Sequence, residues 1–343
     1  MSPSRSILSL FYPAAGAAAM LCLLLYPETV SEAALSAMTL SIRRLIPLLF
    51  PYTVLSSLML RRGWLPARGP LSALYRLPGD CEGVLFSGIA AGFPVGAQGT
   101  ARLYRSGRIT REEAGVLAAV SSVPSPAFLA GAVGAMWGDM RFGWSLWIAA
   151  NLTLLLFSRL RRRTASPPAA ASAPDRSPAR SSFSRDFSRS VTDAATSCLS
   201  VTGFIVFFRI IASVGSRILP PAGGILTLFL EFSSGVRYGA AWGGTAGAAM
   251  TGAAAGFGGL SVFMQIAAQN DADLPGGGFP LRPYLISRVL LGVSLALCAA
   301  LWANLFGLTA ASPAFSEAPA ALPLQTAIPV LLLLLLSKPG RDD

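Results

Sequence analysis

The chain has 343 residues, 53% of them hydrophobic and 13% charged, and its mean hydropathy of +0.58 excludes an ordinary soluble protein. The net charge is +11, but the basic residues fall in short clusters between apolar runs, so we expect a lipid bilayer as partner and no nucleic acid. The absence of histidine excludes the common histidine-based zinc sites and Ser-His-Asp triads.

Eight apolar runs are predicted to cross the membrane, because a spanning helix needs about 20 residues. The first run is too long for the apolar core of a signal peptide and is followed by no clear small-residue cleavage site, so it is kept as a span. The eight runs cover residues 7–26, 36–60, 113–137, 141–158, 191–217, 239–266, 283–307 and 321–337.

Arginine-rich segments set the predicted orientation. Residues 159–190 are rich in Arg, Ser, Pro and Ala and lack an apolar run, which predicts a flexible cytoplasmic linker. The same rule places the basic loops 61–76 and 102–111, and both chain termini, in the cytoplasm. The predicted organisation is an N-terminal helix (1–30), a first repeat (31–158), the linker, a second repeat (191–310) and a C-terminal helix with its tail (311–343).

Two segments have both ends on one side of the membrane in this topology. Residues 82–99 begin and end in the cytoplasm, and residues 220–237 begin and end outside. We predict that each is a re-entrant hairpin, since glycine and proline interrupt the first of them. The order span, hairpin, span, span then occurs twice in opposite orientations. The expected fold is an all-α polytopic membrane protein with an inverted-topology repeat.

Interrupted helices at membrane depth are typical of a substrate site. Their free peptide groups are tolerated only against protein or a water-filled cavity, and their N-termini carry partial positive charge. Such ends favour an anion or a polar heterocycle, and we expect neither metal nor cofactor. The alternative is close helix packing through small residues, which we favour for residues 239–256. Four such breaks are predicted, at Gly92–Gly96, Ser121–Pro126, Glu231–Gly235 and Gly256–Ser261. The substrate-binding residues predicted from them are Gly92, Phe93, Pro94, Gly96, Ser122, Pro124, Ser125, Ser234, Gly235, Gly259 and Ser261.

Ionisable side chains within apolar runs are functional candidates, because each costs about 2.5–3.5 kcal/mol near the bilayer centre. We expect Arg209 to bind a substrate carboxylate and Glu231 to couple protons or accept a hydrogen bond. Gln265 completes the predicted site. The alternative for Arg209 and Glu231 is a structural ion pair. Arg288 is expected to reach the cytoplasmic surface or the acidic loop near residue 271.

Other polar residues favour a structural role. Thr110 and Glu113 have the spacing of a capping box that opens a helix. Three of the four cysteines lie in apolar runs, whereas Cys81 is predicted to be a free thiol in a polar loop. No nucleophile–base pair, metal cluster or paired acid is evident, so we expect no enzymatic activity. A homo-oligomer is compatible with the sequence.

Several motifs resemble the YlbJ-like sporulation integral membrane proteins, which belong with spore maturation proteins that carry a nucleoside-recognition, or Gate, domain. The resemblance covers roughly residues 36–307 and is strongest in the Gly-Phe-Pro block. The similar segments are Ser87–Ala97, Leu103–Ala114, Pro124–Phe128, Gly131–Gly134, Leu230–Gly235, Gly256–Gln265 and Pro283–Arg288.

This resemblance implies an architecture similar to that of concentrative nucleoside transporters. It also implies transport of dipicolinic acid, a small aromatic dianion, across the outer forespore membrane during sporulation. Two alternatives remain open at this point: a nucleoside-type transporter, and a non-transporting scaffold or gate of spore maturation.

Overall fold

The computed structural model describes residues 3–64, 69–161, 182–270 and 274–308, without the side chains of residues 3–12, 15, 44 and 48. These ranges are helical and contain no β-strand. The predicted last span, 321–337, and most of the predicted linker lie outside them. The helices are α1 (Pro3–Leu25), α2 (Pro27–Leu40), α3 (Ile46–Arg62), α4 (Pro70–Leu74), α5 (Glu82–Ala91), α6 (Val95–Arg105), α7 (Arg111–Ser121), α8 (Gly134–Met136), α9 (Met140–Leu160), α10 (Phe183–Ile218), α11 (Gly223–Leu230), α12 (Phe232–Trp242), α13 (Gly244–Phe257), α14 (Gly259–Gln269) and α15 (Arg282–Phe306).

Four stretches of the described residues are long and apolar enough to cross a membrane. A fifth is obtained if Gly16–Leu25 and Pro27–Arg43 form one span, although these two helices are bent by 93° at their junction. The molecule is therefore a helical membrane protein with four to five membrane-capable helices in the described part. The four stretches are Met140–Leu160, Phe183–Ile218, Gly244–Gln269 and Pro275–Phe306.

Three of the predicted spans are not single continuous α-helices. The interruptions near Pro124 and Gly258 lie at predicted breaks, whereas those at Ser41–Leu45 and Gly243 were not predicted and correct the spans concerned. The run 36–60 changes to a π-helix at Ser41–Leu45 between α2 and α3. The run 113–137 is interrupted after Ser121, where Pro124 and Pro126 disfavour helical backbone, and resumes as a π-helix over Ala127–Val133. The run 239–266 begins inside α12 and contains two breaks, one at Gly243 and one at Gly258.

Helices α5 and α6 form a hairpin around Gly92–Pro94. Gly92 has a φ of 80°, a conformation that a residue with a Cβ adopts only at a cost. On the two arms, Gly99 of α6 faces Val84 of α5, and a Cβ at Gly99 would lie 2.9 Å from the valine methyl groups. The chain therefore turns back on itself within the segment where the Gly-Phe-Pro motif predicts a break.

Helices α11 and α12 form a second hairpin around Glu231, whose backbone is extended. Gly235 of α12 lies against the backbone of Leu228 of α11, where an added Cβ would be 3.1 Å from two backbone atoms. Farther from the turn, Gly224 of α11 lies against the hydroxyl of Tyr238 of α12. The second hairpin extends to Trp242, five residues beyond its predicted end.

The two halves of the chain have the same order of elements. The first half runs from α2–α3 through the hairpin α5–α6 and the interrupted helix α7–α8 to the straight helix α9. The second half runs from α10 through the hairpin α11–α12 and the interrupted helix α13–α14 to α15. The opposite orientation of the two halves in the membrane, and the re-entrant course of the hairpins, remain predictions.

The main hydrophobic core lies between α7, α9, α13 and α15. Phe142 and Leu146 of α9 are fully buried, as are Leu291 and Leu295 of α15. A Cβ at Gly252 of α13 would collide with the Leu295 carbonyl, so glycine is what allows the two helices to approach this closely. This contact agrees with the packing interpretation of residues 239–256.

An arginine–aspartate cluster fastens the start of α10 to the first half of the chain. Asp193 accepts hydrogen bonds from Arg61 of α3 at 2.6 Å and from Arg102 of α6 at 2.7 Å. About two helical turns before Asp193 on the same helix, Asp186 pairs with Arg62 at 3.4 Å. Because α10 belongs to the second half, these ion pairs connect the two halves near the predicted cytoplasmic side.

The predicted capping box of α7 is confirmed. The Thr110 hydroxyl accepts a hydrogen bond from the Glu113 N–H at 3.2 Å, and the Glu113 carboxylate accepts one from the Thr110 N–H at 2.8 Å. Cys81 is a free thiol, as predicted, but it lies in a helical turn directly before α5 and is fully buried, although its neighbours in the sequence predicted a polar loop. Burial, reinforced by the nearby Glu113 carboxylate, raises the pKa of the Cys81 thiol well above its usual range.

Candidate functional site

The turn of each hairpin packs against the break of the interrupted helix that follows it. In the first half, the Phe93 N–H donates a hydrogen bond to the Val123 carbonyl at 3.2 Å. Gly92 lies against Ser125, where an added Cβ would be 2.8 Å from the backbone nitrogen. In the second half, Gly259 lies against the backbone of Leu230 and Phe232, with a φ of 72° at the glycine. Four backbone interruptions are thus brought together in two pairs.

Three phenylalanines connect the first of these pairs to the second hairpin turn. The Phe93 and Phe232 rings meet edge to face with their centroids 5.3 Å apart. The Phe128 ring lies 4.8 Å from Phe232 in a tilted arrangement. We call these three residues the aromatic wall. It makes the contact between the first hairpin turn, the first helix break and the second hairpin turn.

A cavity borders the aromatic wall, and its space, including the part open to the surroundings, is about 470 Å³. Both π-helical segments contribute to it, through Leu45 and Phe128, and π-helical turns are frequent at functional sites. The lining is almost wholly apolar, with Ser125 and Gln265 as its polar side chains. The lining residues are Leu45, Leu49, Ala91, Phe93, Pro124, Ser125, Phe128, Val201, Ile205, Phe232 and Gln265.

Gln265 is the unusual member of this lining. Its side chain is only 3% exposed, yet neither its amide nitrogen nor its amide oxygen has a hydrogen-bond partner among the described residues. Leaving a buried polar group unpaired costs about 1–3 kcal/mol, so such groups are rare unless a water or ligand satisfies them. Gln265 is therefore the strongest single indication of a binding site in the described structure.

Arg209 and Glu231 are paired with each other and do not line the cavity. Their closest approach is 3.4 Å, and Glu231 is fully buried. The Glu231 carboxylate also caps α12, because it accepts hydrogen bonds from the N–H groups of Ser233 at 2.9 Å and Ser234 at 2.8 Å. The remaining Arg209 nitrogens donate to the hydroxyls of Ser234 and Ser36, at 2.9 and 3.1 Å. This arrangement matches the alternative of a structural ion pair, and substrate binding by Arg209 remains a prediction.

Arg288 does not reach the surface, so that predicted position is wrong; the acidic residues of the alternative, near residue 271, lie outside the described residues. Its side chain is 2% exposed and donates hydrogen bonds to the carbonyls of Ser122 at 2.7 Å and Ala119 at 3.0 Å. These carbonyls end α7, and a cation at a helix C-terminus is stabilised by the helix dipole. The guanidinium also lies 4.8 Å from the centre of the Tyr284 ring. Arg288 therefore fixes the end of α7 beside the first helix break.

The predicted site residues fall into three groups. Phe93, Pro124, Ser125 and Gln265 line the cavity. A second group supports the backbone or the ion pair: Gly92, Gly96, Gly235 and Gly259 at close backbone contacts, Pro94 before the first turn of α6, and Arg209, Glu231 and Ser234 in the ion-pair cluster. Ser122 and Ser261 are buried with unpartnered hydroxyls near the breaks.

Two aromatic residues of the site were missed from the sequence. Phe128 and Phe232 lie next to predicted breaks, and an aromatic residue beside a Pro- or Gly-rich interruption was the available signal. Among the described residues, no three His, Cys, Asp or Glu side chains form a group that could hold a metal ion.

The fold and the site define a helical membrane protein in which both hairpin turns and the first helix break border one cavity. The chain is 34% identical over 113 residues to the sporulation integral membrane protein YlbJ of Bacillus subtilis strain 168. The match covers 32% of this chain and spans 28% of the length of that relative, and it supports a YlbJ-like family and a link to sporulation. No protein-family model matches the chain. No solved structure is similar to it.

Proposed function

We propose that this protein transports a small aromatic or carboxylate solute across a membrane of the sporulating cell, with dipicolinate across the outer forespore membrane as the leading candidate. The observation that carries the proposal is that both hairpin turns and the first helix break border one cavity, which also contains the unpartnered amide of Gln265. Interrupted helices in corresponding positions of two halves are typical of transporter binding sites.

The repeated order of elements supports movement as well as binding. A site between two halves can be opened to either side if one half rocks against the other. The aromatic wall, with Phe93 and Phe128 from the first half and Phe232 from the second, lies on the boundary between the halves. The proposed path leads along this boundary.

The choice of dipicolinate comes from the family that the motifs resemble and agrees with the character of the cavity. Phe93, Phe128 and Phe232 offer aromatic contacts to a planar ring. The similar Bacillus subtilis protein is described as a sporulation integral membrane protein, which supports the cellular setting and not the solute.

Uptake of radiolabelled dipicolinate into proteoliposomes tests the proposal. Val201 lines the cavity, and Val201→Trp should fill it and abolish uptake. Leu199 lies two residues away on the same helix and is 71% exposed, so Leu199→Trp is a matched control that should transport normally. Equal uptake by the two variants would contradict transport through this cavity. So would uptake by the unaltered protein that does not exceed uptake by protein-free liposomes.

The cellular counterpart is the dipicolinate content of spores that lack this protein. Dipicolinate that is made in the mother cell and fails to enter the spore would support the proposal, provided that the unaltered protein restores it and Val201→Trp does not. Full rescue by Val201→Trp would instead favour the scaffold alternative, in which the cavity plays no part.

A further inference from the structure

Among the described residues, Ser125 and Gln265 are the polar side chains that line the cavity, and of the two only Gln265 has no hydrogen-bond partner in the protein. Gln265 lies on α14 with both amide atoms unpartnered among the described residues, whereas the Ser125 hydroxyl accepts a hydrogen bond from the Phe128 N–H at 3.2 Å. A primary amide presents two N–H donors and one carbonyl acceptor in a plane. Recognition of a ligand in this cavity therefore depends mainly on the hydrogen-bonding groups at the ligand's edge that face Gln265.

The rest of the cavity favours a flat, apolar body. The aromatic wall presents ring edges and faces at centroid distances of 4.8 and 5.3 Å, the geometry that favours a further aromatic ring. Leu45, Leu49 and Ile205 complete the walls with aliphatic side chains.

The two buried arginines of the described residues, Arg209 and Arg288, already donate hydrogen bonds within the protein. All three guanidinium nitrogens of Arg209 donate hydrogen bonds, to Ser234, Ser36 and Glu231. Arg288 likewise donates to the carbonyls at the end of α7. None of the described side chains that line the cavity is charged, so discrimination between similar rings by these residues depends on Gln265.

We propose that the cavity selects planar heteroaromatic rings that carry a hydrogen-bond acceptor in the ring edge, which receives a hydrogen bond from the Gln265 amide N–H. This inference rests on the proposed function for its ligand class. In a pyridine-2,6-dicarboxylate, the two amide N–H groups serve the ring nitrogen and an adjacent carboxylate oxygen. Benzene-1,3-dicarboxylate has the same shape and the same carboxylates, but a C–H replaces the ring nitrogen and leaves a Gln265 N–H unpaired.

Binding of these two dicarboxylates to the purified full-length chain in detergent tests the inference, with affinity taken from the ligand-dependent rise of the thermal unfolding midpoint. The unaltered protein should bind the pyridine compound roughly tenfold more tightly, because the benzene compound leaves a buried donor unsatisfied. Gln265→Leu should remove this preference. Gln269→Leu, one helical turn farther along α14 and outside the cavity lining, should keep it.

A second readout needs no ligand. Because the Gln265 amide has no protein partner, Gln265→Leu should unfold at the same temperature as the unaltered protein or higher. A lower midpoint or failure to fold would show that the amide has a structural partner, and equal affinity for both dicarboxylates would show that the ring nitrogen is not read. Either result overturns the inference, as does binding of neither compound.

The outcomes separate this inference from the proposed function. Ring selectivity that depends on Gln265, without uptake into proteoliposomes, would refute transport and leave ring recognition intact. Uptake of dipicolinate without any Gln265-dependent selectivity would support transport and refute ring recognition.

Discussion

Replacement of Glu231 with glutamine should strongly destabilise the protein. Both carboxylate oxygens of Glu231 accept hydrogen bonds from backbone N–H groups at the start of α12, and one of them faces Arg209 at 3.4 Å. A glutamine keeps the shape but presents an NH₂ group to one of these donors. The Ser233 and Ser234 hydroxyls can rotate to accept from it, whereas a backbone N–H cannot.

The expected loss has two parts. One cap hydrogen bond at a helix N-terminus contributes about 1 kcal/mol. Leaving one member of a buried ion pair without its partner costs a further ~3 kcal/mol at the lower end of measured values, and Arg209 is only 6% exposed. The predicted decrease in the free energy of unfolding is therefore about 4 kcal/mol.

The thermal unfolding midpoint of the purified protein in detergent measures this effect, and a double variant separates the two parts. Arg209→Met combined with Glu231→Gln removes the unpaired charge and should recover about 3 kcal/mol, because a buried ion pair replaced by neutral side chains often costs little. A single Glu231→Gln variant as stable as the unaltered protein would refute the reasoning. A double variant less stable than the single one would show that Arg209 has a different source of stabilisation.

Three further predictions use the same assay or chemical labelling. Gly88→Ala should destabilise the protein by about 2 kcal/mol because its Cβ would collide with an α7 carbonyl, whereas Gly131→Ala meets no atom within 4 Å and should be neutral. Asp193→Asn should cost only about 1 kcal/mol, and less at high salt, because the carboxylate is 31% exposed. A variant that keeps Cys81 as its only cysteine should resist maleimide at pH 8 until denaturant is added, because the thiol is buried and its pKa is raised. A cysteine-free variant with Ser106→Cys, at an exposed position, should react at once. Rapid labelling of Cys81 would contradict its burial.

The helix breaks could be predicted from the sequence because their causes are local. Gly92 and Pro94 interrupt a helix whatever surrounds them, and the capping box of Thr110 and Glu113 requires only four consecutive residues. The apolar runs likewise predicted a helical membrane protein. They predicted continuous spans less well, since Pro124 and Gly258 sit inside runs whose average hydropathy is high.

The contacts of individual polar residues could not be predicted because their partners are distant in sequence. Arg288 binds carbonyls that lie 166 and 169 residues earlier, at a helix end that exists only because α7 stops at Ser121. For Gln265 the sequence suggested a site, but the absence of a protein partner became evident only once the surrounding helices were placed. The sequence around Cys81 is polar and predicted a loop, yet the Cys81 side chain is part of the main hydrophobic core.

The pairing of Arg209 with Glu231 has a consequence for the biogenesis of the protein. An emerging α10 that enters the bilayer alone would carry an unpaired arginine, at about 2.5–3.5 kcal/mol on insertion scales. Its partner follows only 22 residues later, at the turn of the next hairpin. Partition of α10 into lipid is therefore favoured when the translocon releases it together with α11 and α12, so that these three helices enter the membrane as one unit.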